Sequence, residues 1–312
     1  MIRRLKFTYE LFNFFHKKKL VHNLPLYKKF GLAKKYYSPI SSKDFKNIAE
    51  ANLSNIKNPI DDKNTITKST SDDTIKNTIS SFQEQGFLIM NGYLSNNQVN
   101  EINQEIDTLL KTKQVKFENG NKIMFAIKKS AILRKIGCNP KLTEFLSTLM
   151  NGNAKLFQSI NFMMGSEQKT HSDSIHMTTY PLRGLLGLWI ALEDIGEDNG
   201  PLHYYPGSHR LPYYLNSDYE NEGTRFLIGK KDYTEYEKML ESKIIEHGIK
   251  KVTFSAKKGD LLIWHANLLH GGEIHLNKER TRKSVVFHYY NMNCICYHEI
   301  TQRPSLIDEH YH

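Results

Sequence analysis

Cysteine is scarce in this chain. Three residues, Cys138, Cys294 and Cys296, among 312 cannot build a disulfide framework. Cys294-x-Cys296 has neither zinc spacing nor a second cysteine pair, so the thiols read as free or buried side chains in a reducing compartment. Long apolar runs are also missing, and no stretch is long enough to span a bilayer. No internal repeat is visible. The body of the protein lacks a basic face as well. The net charge of +10 comes almost wholly from residues 1–36, where ten lysines and arginines face one acid, Glu10. That segment is +9 and the remainder about +1, so no nucleic-acid partner is expected.

The basic segment has a pattern of its own. Arg3, Lys6, Glu10, Asn13 and Lys17 fall at helical spacing and make one polar stripe, while Ile2, Leu5, Phe7, Leu11, Phe12 and Phe15 cover much of the rest. A helix with a wide aromatic face and basic flanks can lie in a membrane interface. It can equally pack on its own domain or on a sister subunit. Charges break the apolar run and no small-residue cleavage site follows, so a signal peptide is not expected. The expected location is the cytoplasm, peripheral at the inner face of a membrane if the helix binds lipid. Residues 50–78, rich in Asn, Ser, Thr, Asp and Lys without a sustained period, read as a polar linker. The chain therefore divides into a helical segment 1–49, a linker 50–78 and one domain 79–312.

That domain opens with a short strand, Gly86–Met90, and a helix whose capping box is Ser95-x-x-Gln98. Val99, Ile102, Ile106, Leu109 and Leu110 give the helix its apolar face. A second helix is expected at Lys141–Met150 after Asn139-Pro140. Short β-leaning runs then follow at Lys155–Met164, Leu185–Leu192, Leu202–Tyr205, Lys251–Phe254, Asp260–His265 and Lys283–Tyr290. A helical insertion interrupts them near Asp232–Glu246. The expected fold is mainly β with flanking helices, around a double-stranded β-helix (jelly roll, cupin-like) core.

One constellation carries chemistry. His171-Ser172-Asp173 and the distant His270-Gly271-Gly272 supply two imidazoles and one carboxylate. That donor set leaves half an octahedron open, as in non-haem Fe(II) oxygenases. In an extended strand His171 and Asp173 share a face while Ser172 points away. His265 competes with His270, and strand parity puts the two on opposite faces, favouring His270 beside its glycine pair. Arg282 stands at the start of the Lys283–Tyr290 strand, where it can meet the far carboxylate of a keto acid in bidentate fashion. Arg280 sits in a turn and reads as solvated. His176, Tyr180, Arg183, Tyr204 and Tyr205 are candidates for substrate contact, each with packing as the alternative.

Taken together these stretches resemble the phytanoyl-CoA dioxygenase family of Fe(II)/2-oxoglutarate oxygenases, ectoine hydroxylase-like members included. The resemblance runs from about Ser80 to Tyr290. It is carried by Gln158-Ser159-Ile160-Asn161-Phe162, His171-Ser172-Asp173, Trp189 to Asp194, Asn199-Gly200-Pro201-Leu202, Pro206 to Arg210, and the ending from Gly259-Asp260 through His270-Gly271-Gly272 to Arg282-Lys283-Ser284. It implies His171, Asp173 and His270 as iron ligands and Arg282 as partner of the 2-oxoglutarate C5 carboxylate. It also implies Gln158 and Asn161 near the co-substrate, with Trp189 walling the pocket. Relatives often carry Ser where Gly272 stands, which removes one hydrogen bond to 2-oxoglutarate or leaves it to another residue. The implied reaction consumes O2 and 2-oxoglutarate, releases succinate and CO2, and hydroxylates an aliphatic C–H of a small-molecule or lipid- or glycan-linked substrate. The competing reading from a different class is a jelly-roll binding module without turnover, recruited to a membrane or partner by its basic helix.

Overall fold

The computed structural model describes residues 4–46, 48, 73–118 and 120–307. Its helices and strands, in chain order, are α1 (Lys6–Phe15), α2 (Leu24–Lys29), α3 (Asp73–Gln85), β1 (Phe87–Met90), α4 (Asn96–Lys111) and β2 (Lys122–Met124). There follow α5 (Ala131–Gly137), α6 (Pro140–Leu149), β3 (Ala154–Phe162), β4 (Met177–Tyr180), β5 (Leu185–Ala191), β6 (Leu202–Tyr204) and α7 (Tyr233–His247). The last are β7 (Val252–Phe254), β8 (Leu261–His265), β9 (His270–Gly272), β10 (Ser284–Asn291), β11 (Ile295–His298) and β12 (Arg303–Pro304).

Six strands pair in the order β1-β8-β5-β10-β3-β2, every neighbour antiparallel. Two small sheets, β7-β6-β9 and β12-β11-β4, complete the structure opposite. This is the expected mainly-β jelly roll, and all six β-leaning runs of its sequence are strands. β5, β8 and β10 are buried along their whole length. A strand covered on both faces needs apolar residues at nearly every position, and Leu185–Ala191 supplies them. One face of the large sheet packs on α3 to α6 through Phe82, Ile102, Leu146 and Phe287. Truncating Phe82, 1 % exposed, is expected to cost about 3–5 kcal/mol. The other face turns toward the small sheets, where Trp189, Leu262, Trp264 and Val286 form a second core.

The helix ends follow their sequence signals. Ser95 and Gln98 close a reciprocal capping box on α4, and Asn139 accepts from Leu142 N at the start of α6. Such a cap is worth about 1 kcal/mol. The expected insertion is α7, capped by Asp232. The linker boundary needs correction: residues 73–78, expected in the polar linker, already belong to α3, whose Ile79 and Phe82 reach the core. Residues 50–72 lie outside the described residues, as do Ile2 and Arg3 of the basic helix. Residues 26–45 lie on the jelly roll itself. Tyr27, Phe30, Ile40 and Phe45 share a core with Ile295 and Tyr297 of β11.

Candidate metal centre

The inward rows of the large sheet can be read from its register. Phe87, Trp264, Gly187, His288 and Gln158 stand opposite one another across five strands. The next row inward holds Leu262, Trp189, Val286, Ile160 and Met124. These rows floor a cavity of about 320 Å³ whose walls include His171, Asp173 and His270. The two histidines come from opposing backbone segments. His171 N donates to His270 O, and His270 N to His171 O, each at 2.9 Å.

Ligand atoms of His171, Asp173 and His270 lie within 4.8 Å of one another, and all three residues are buried. Both imidazoles are oriented by backbone. His171 Nδ1 pairs with the Lys169 carbonyl at 2.9 Å and His270 Nδ1 with the Leu268 carbonyl at 3.0 Å. An Nδ1–H held this way leaves the Nε2 lone pair free for a metal. Those Nε2 atoms stand 4.0 and 3.8 Å from Asp173 Oδ1. Asp173 Oδ2 accepts from the indole N–H of Trp264 at 2.7 Å and lies 3.6 Å from His288 Nε2. Burial works to raise the Asp173 carboxyl, but His270, His288 and His171 outweigh it and hold it well below the usual carboxylate range. The cluster therefore turns two imidazole nitrogens and one carboxylate oxygen toward a shared point, a donor set that fits a divalent transition metal.

The chain is extended only to Ser172 and enters a 3-10 turn at Asp173–Ile175. Ser172 does point away, its Oγ 3.2 Å from the Tyr236 hydroxyl. The parity argument for His270 over His265 fails in its premise, because the two are not in one strand. β8 ends at His265 and β9 begins at His270. His265 instead packs beside His209 and accepts from Asn267 N at 3.0 Å. The glycine pair does bring backbone close. A Cβ on Gly271 would stand 2.8 Å from the Gln168 carbonyl, and one on Gly272 would stand 2.9 Å from Ser166 Oγ.

Arg282 is 2 % exposed. Its Nε donates to Gly200 O at 3.1 Å and its Nη1 to Ser284 Oγ at 2.9 Å. Nη2 is buried without a partner, and the guanidinium lies 5.1 Å over the Trp189 ring. Among the described residues no carboxylate comes within ion-pair distance of it, and burial pulls it down to about 10. Glu193, the acid that faces it electrostatically, is already engaged by Thr281 and Lys283. An unpaired buried cation lining a cavity is a site for an anionic ligand.

The remaining expected residues divide. Gln158, Trp189 and His176 line the cavity with the cluster. Asn161 is buried one position out of phase, on the strand face opposite Gln158, Ile160 and Phe162. Tyr180 stacks on Phe45 with ring centroids 4.0 Å apart. Tyr204 packs on Phe87, and Tyr205 joins Ile175 and Tyr236 in a separate core. Arg183 lies at φ 73° in the turn before β5, near His265. None of these five lines the cavity. Sequence reasoning passed over Lys122, Gln168, Trp264, His288 and His298, which do. His288 was within reach, since it shares parity with Arg282 and Ser284. Gln168 bridges the site, its amide 3.1 Å from His171 Nε2 and its oxygen accepting from Lys122 Nζ at 3.2 Å. Burial pulls His176 down to about 4 and His298 to about 3, so both are neutral near pH 7.

A jelly roll with a buried cluster of two histidines and a carboxylate defines the class of non-haem, cupin-like oxygenases. The phytanoyl-CoA dioxygenase (PhyH) family matches residues 82–284, and the chain belongs to this family of Fe(II)/2-oxoglutarate oxygenases. It is thereby an enzyme of the 2-oxoglutarate-dependent dioxygenase class. It is 24% identical over 262 residues to phytanoyl-CoA dioxygenase domain-containing protein 1 of Bos taurus, covering 66% of this chain and 87% of that protein. Ectoine dioxygenase of Halomonas elongata is 24% identical over 231 residues, 68% of each chain. In fold the chain is similar to the non-haem α-ketoglutarate-dependent carbocyclase SnoK of nogalamycin biosynthesis, with TM-score 0.58, 18% identity, and coverage of 75% of this chain and 89% of that one.

Proposed function

We propose that the protein is an Fe(II)/2-oxoglutarate-dependent hydroxylase in which His171, Asp173 and His270 hold the iron. Arg282 binds the C5 carboxylate of 2-oxoglutarate. The single observation that carries this reading is the pairing, in one cavity, of the three-ligand cluster with a buried guanidinium that has an unpartnered N–H. Bound there, iron and 2-oxoglutarate supply the oxidising power to functionalise a substrate C–H bond with O2, releasing succinate and CO2.

The chain's own residues set the conditions. Backbone carbonyls fix the imidazole tautomers, and Trp264 fixes the carboxylate, so that three donors converge. Ser284 and Gly200 hold the guanidinium over Trp189, leaving Nη2 to the co-substrate. Gln168 caps His171 Nε2 and must swing aside for a metal to bind. Ile160, Phe162, Trp189 and Val286 keep the floor apolar and exclude water. The rest of the cavity, with Met124, Met177, His176 and His298, takes a small molecule or the reactive end of a larger one.

Anaerobic loading with Fe(II) and 2-oxoglutarate tests this directly. The expected result is a metal-to-ligand charge-transfer band, then succinate once O2 is admitted. Folded protein that gives neither overturns the assignment.

A further inference from the structure

Helix α1 is mounted with its polar stripe inward. Asn13 is 1 % exposed and its amide donates to the Tyr37 carbonyl at 3.0 Å. Glu10 accepts from Ser38 Oγ at 3.2 Å, and Lys6 N donates to Phe226 O at 2.9 Å. This orientation turns the aromatic face to solvent. Phe7 is 70 % exposed and Phe15 74 %, with Leu11, Phe12 and Phe14 between 43 % and 46 %. Val21 and Leu24, 49 % and 52 % exposed, continue the apolar surface into the next turn. A helix belonging to a water-facing surface shows the opposite arrangement.

The charge around this face identifies what covers it. Lys17, its Nζ 4.8 Å over the Phe14 ring, and Lys18 follow the helix in exposed positions. Lys28 and Lys29 of the same segment are exposed as well, and the segment's one acid, Glu10, is held on the inward stripe. A second copy of the chain would set lysine against lysine. An apolar face ringed by lysines suits an anionic lipid surface, which accepts aromatic side chains below the headgroups and lysine tips among them.

A second observation ties this face to the interior. A cavity of about 230 Å³ is lined by Phe12 and Asn13 of α1 together with Phe125 and Phe157. It shares Gln158, Met177 and His298 as lining residues with the metal-cluster cavity. We propose that α1 docks the protein on an anionic bilayer, and that the substrate is an amphiphile drawn from that bilayer along this passage. The docking stands without the oxygenase reading, whereas the passage of substrate rests on it.

Docking is measured on the metal-free full-length protein, by co-sedimentation with phosphatidylcholine vesicles with and without phosphatidylserine. Expected is binding to the anionic vesicles that weakens with salt, and at least a tenfold loss in the Phe7→Glu/Phe15→Glu double variant at unchanged melting temperature. A Phe7→Trp/Phe15→Trp variant is expected to bind normally and to shift its fluorescence to the blue on vesicles. Wild-type protein that ignores anionic vesicles, or a double variant that binds equally well, overturns the docking. A wild-type dimer that the double variant breaks, without lipid binding, assigns the face to a second copy instead. For the passage, a lipid extract presented in vesicles is expected to support succinate formation by wild type but not by the double variant, while detergent-dispersed extract serves both. Equal turnover of the vesicle form by both proteins, or no turnover of either form, overturns the lipid route. The charge-transfer band judges the oxygenase reading separately.

Discussion

Trp264 donates its indole N–H to Asp173 Oδ2 across 2.7 Å, and Gly187 on the neighbouring strand is what lets the indole lie there. A Cβ on Gly187 would stand 2.3 Å from Trp264 Cε2. Second partners of this kind fix a ligand's orientation, and their loss typically costs 10–100-fold in metal affinity. Trp264→Phe is therefore expected to fold, to keep most of the apolar packing, and to bind Fe(II) about 10-fold or more weakly. Isothermal titration under anaerobic conditions reads this. Affinity within twofold of wild type would show that His288 alone holds the carboxylate.

Gly187→Ala makes a separate prediction, because it attacks the indole's place and not its hydrogen bond. The added methyl must displace Trp264 or push β5 from β8, and overpacking of this kind costs about 1–3 kcal/mol. The expected result is a lower melting temperature together with the metal-affinity loss of Trp264→Phe. A variant with normal stability and normal iron binding would refute the close approach.

How much of this was legible in the sequence depends on what each residue answers to. The central strands of the large sheet were readable because both their faces are buried, so β5 is apolar throughout and β8 is apolar up to His265, whereas Lys122–Met124 at the sheet edge carried no such run. β9 and β12 were not readable, since three and two residues carry no period. The cluster was readable because donor type and spacing constrain metal ligands strongly. Arg282 was readable from its place before an alternating strand, and the same alternation reaches His288. Asn161 was expected from the resemblance alone, and its place one residue out of phase with Gln158 and Ile160 sends its side chain to the other face. The setting of Tyr180 depends on residues 30 and 45, which fold back over β4 and β11 from far away in the chain. No local pattern near Tyr180 encodes that contact. The amphipathic stripe of α1 was visible, but which side faces inward was decided by Tyr37, Ser38 and Phe226.

Arg282→Met tests the co-substrate site. The substitution removes a buried charge whose Nη2 has no partner, so folding stability is expected to hold or rise. The 2-oxoglutarate KM is expected to rise at least 100-fold, while Fe(II) affinity stays near wild type because the three ligands are untouched. A KM within threefold of wild type removes Arg282 from the proposed role.

Ser166 and Gly272 make a coupled pair. Ser166 Oγ occupies the space beside Gly272, 2.9 Å from where a Cβ there would stand. Ser166 lines the same cavity as Arg282, and if its hydroxyl donates to the co-substrate, Ser166→Ala raises the 2-oxoglutarate KM several-fold. Gly272→Ser alone crowds the loop and lowers both stability and turnover, and Ser166→Gly combined with it restores them. The interaction term of this double-mutant cycle is the readout. Additive effects would mean that the two positions do not share a space.

Burial pulls His22 down to about 4 from an ordinary value of 6.5, and its Nε2 is buried without a partner. Above about pH 6.5 the ring is neutral in both folded and unfolded chains, so it contributes no pH dependence. Between about pH 6.5 and 4 the unfolded chain takes up a proton that the folded one refuses, and stability falls as pH drops. Below about 4 both forms are protonated and the loss is complete. His22→Phe removes the ionisable group and the unpaired nitrogen while keeping an aromatic ring near Tyr290. The variant is expected to melt near wild type at pH 7 and above it at pH 4.5. Its stability should fall with pH by up to one proton less per molecule across that window, measured by urea unfolding of the metal-free protein. Parallel pH profiles for the two proteins would refute the assignment of that proton to His22.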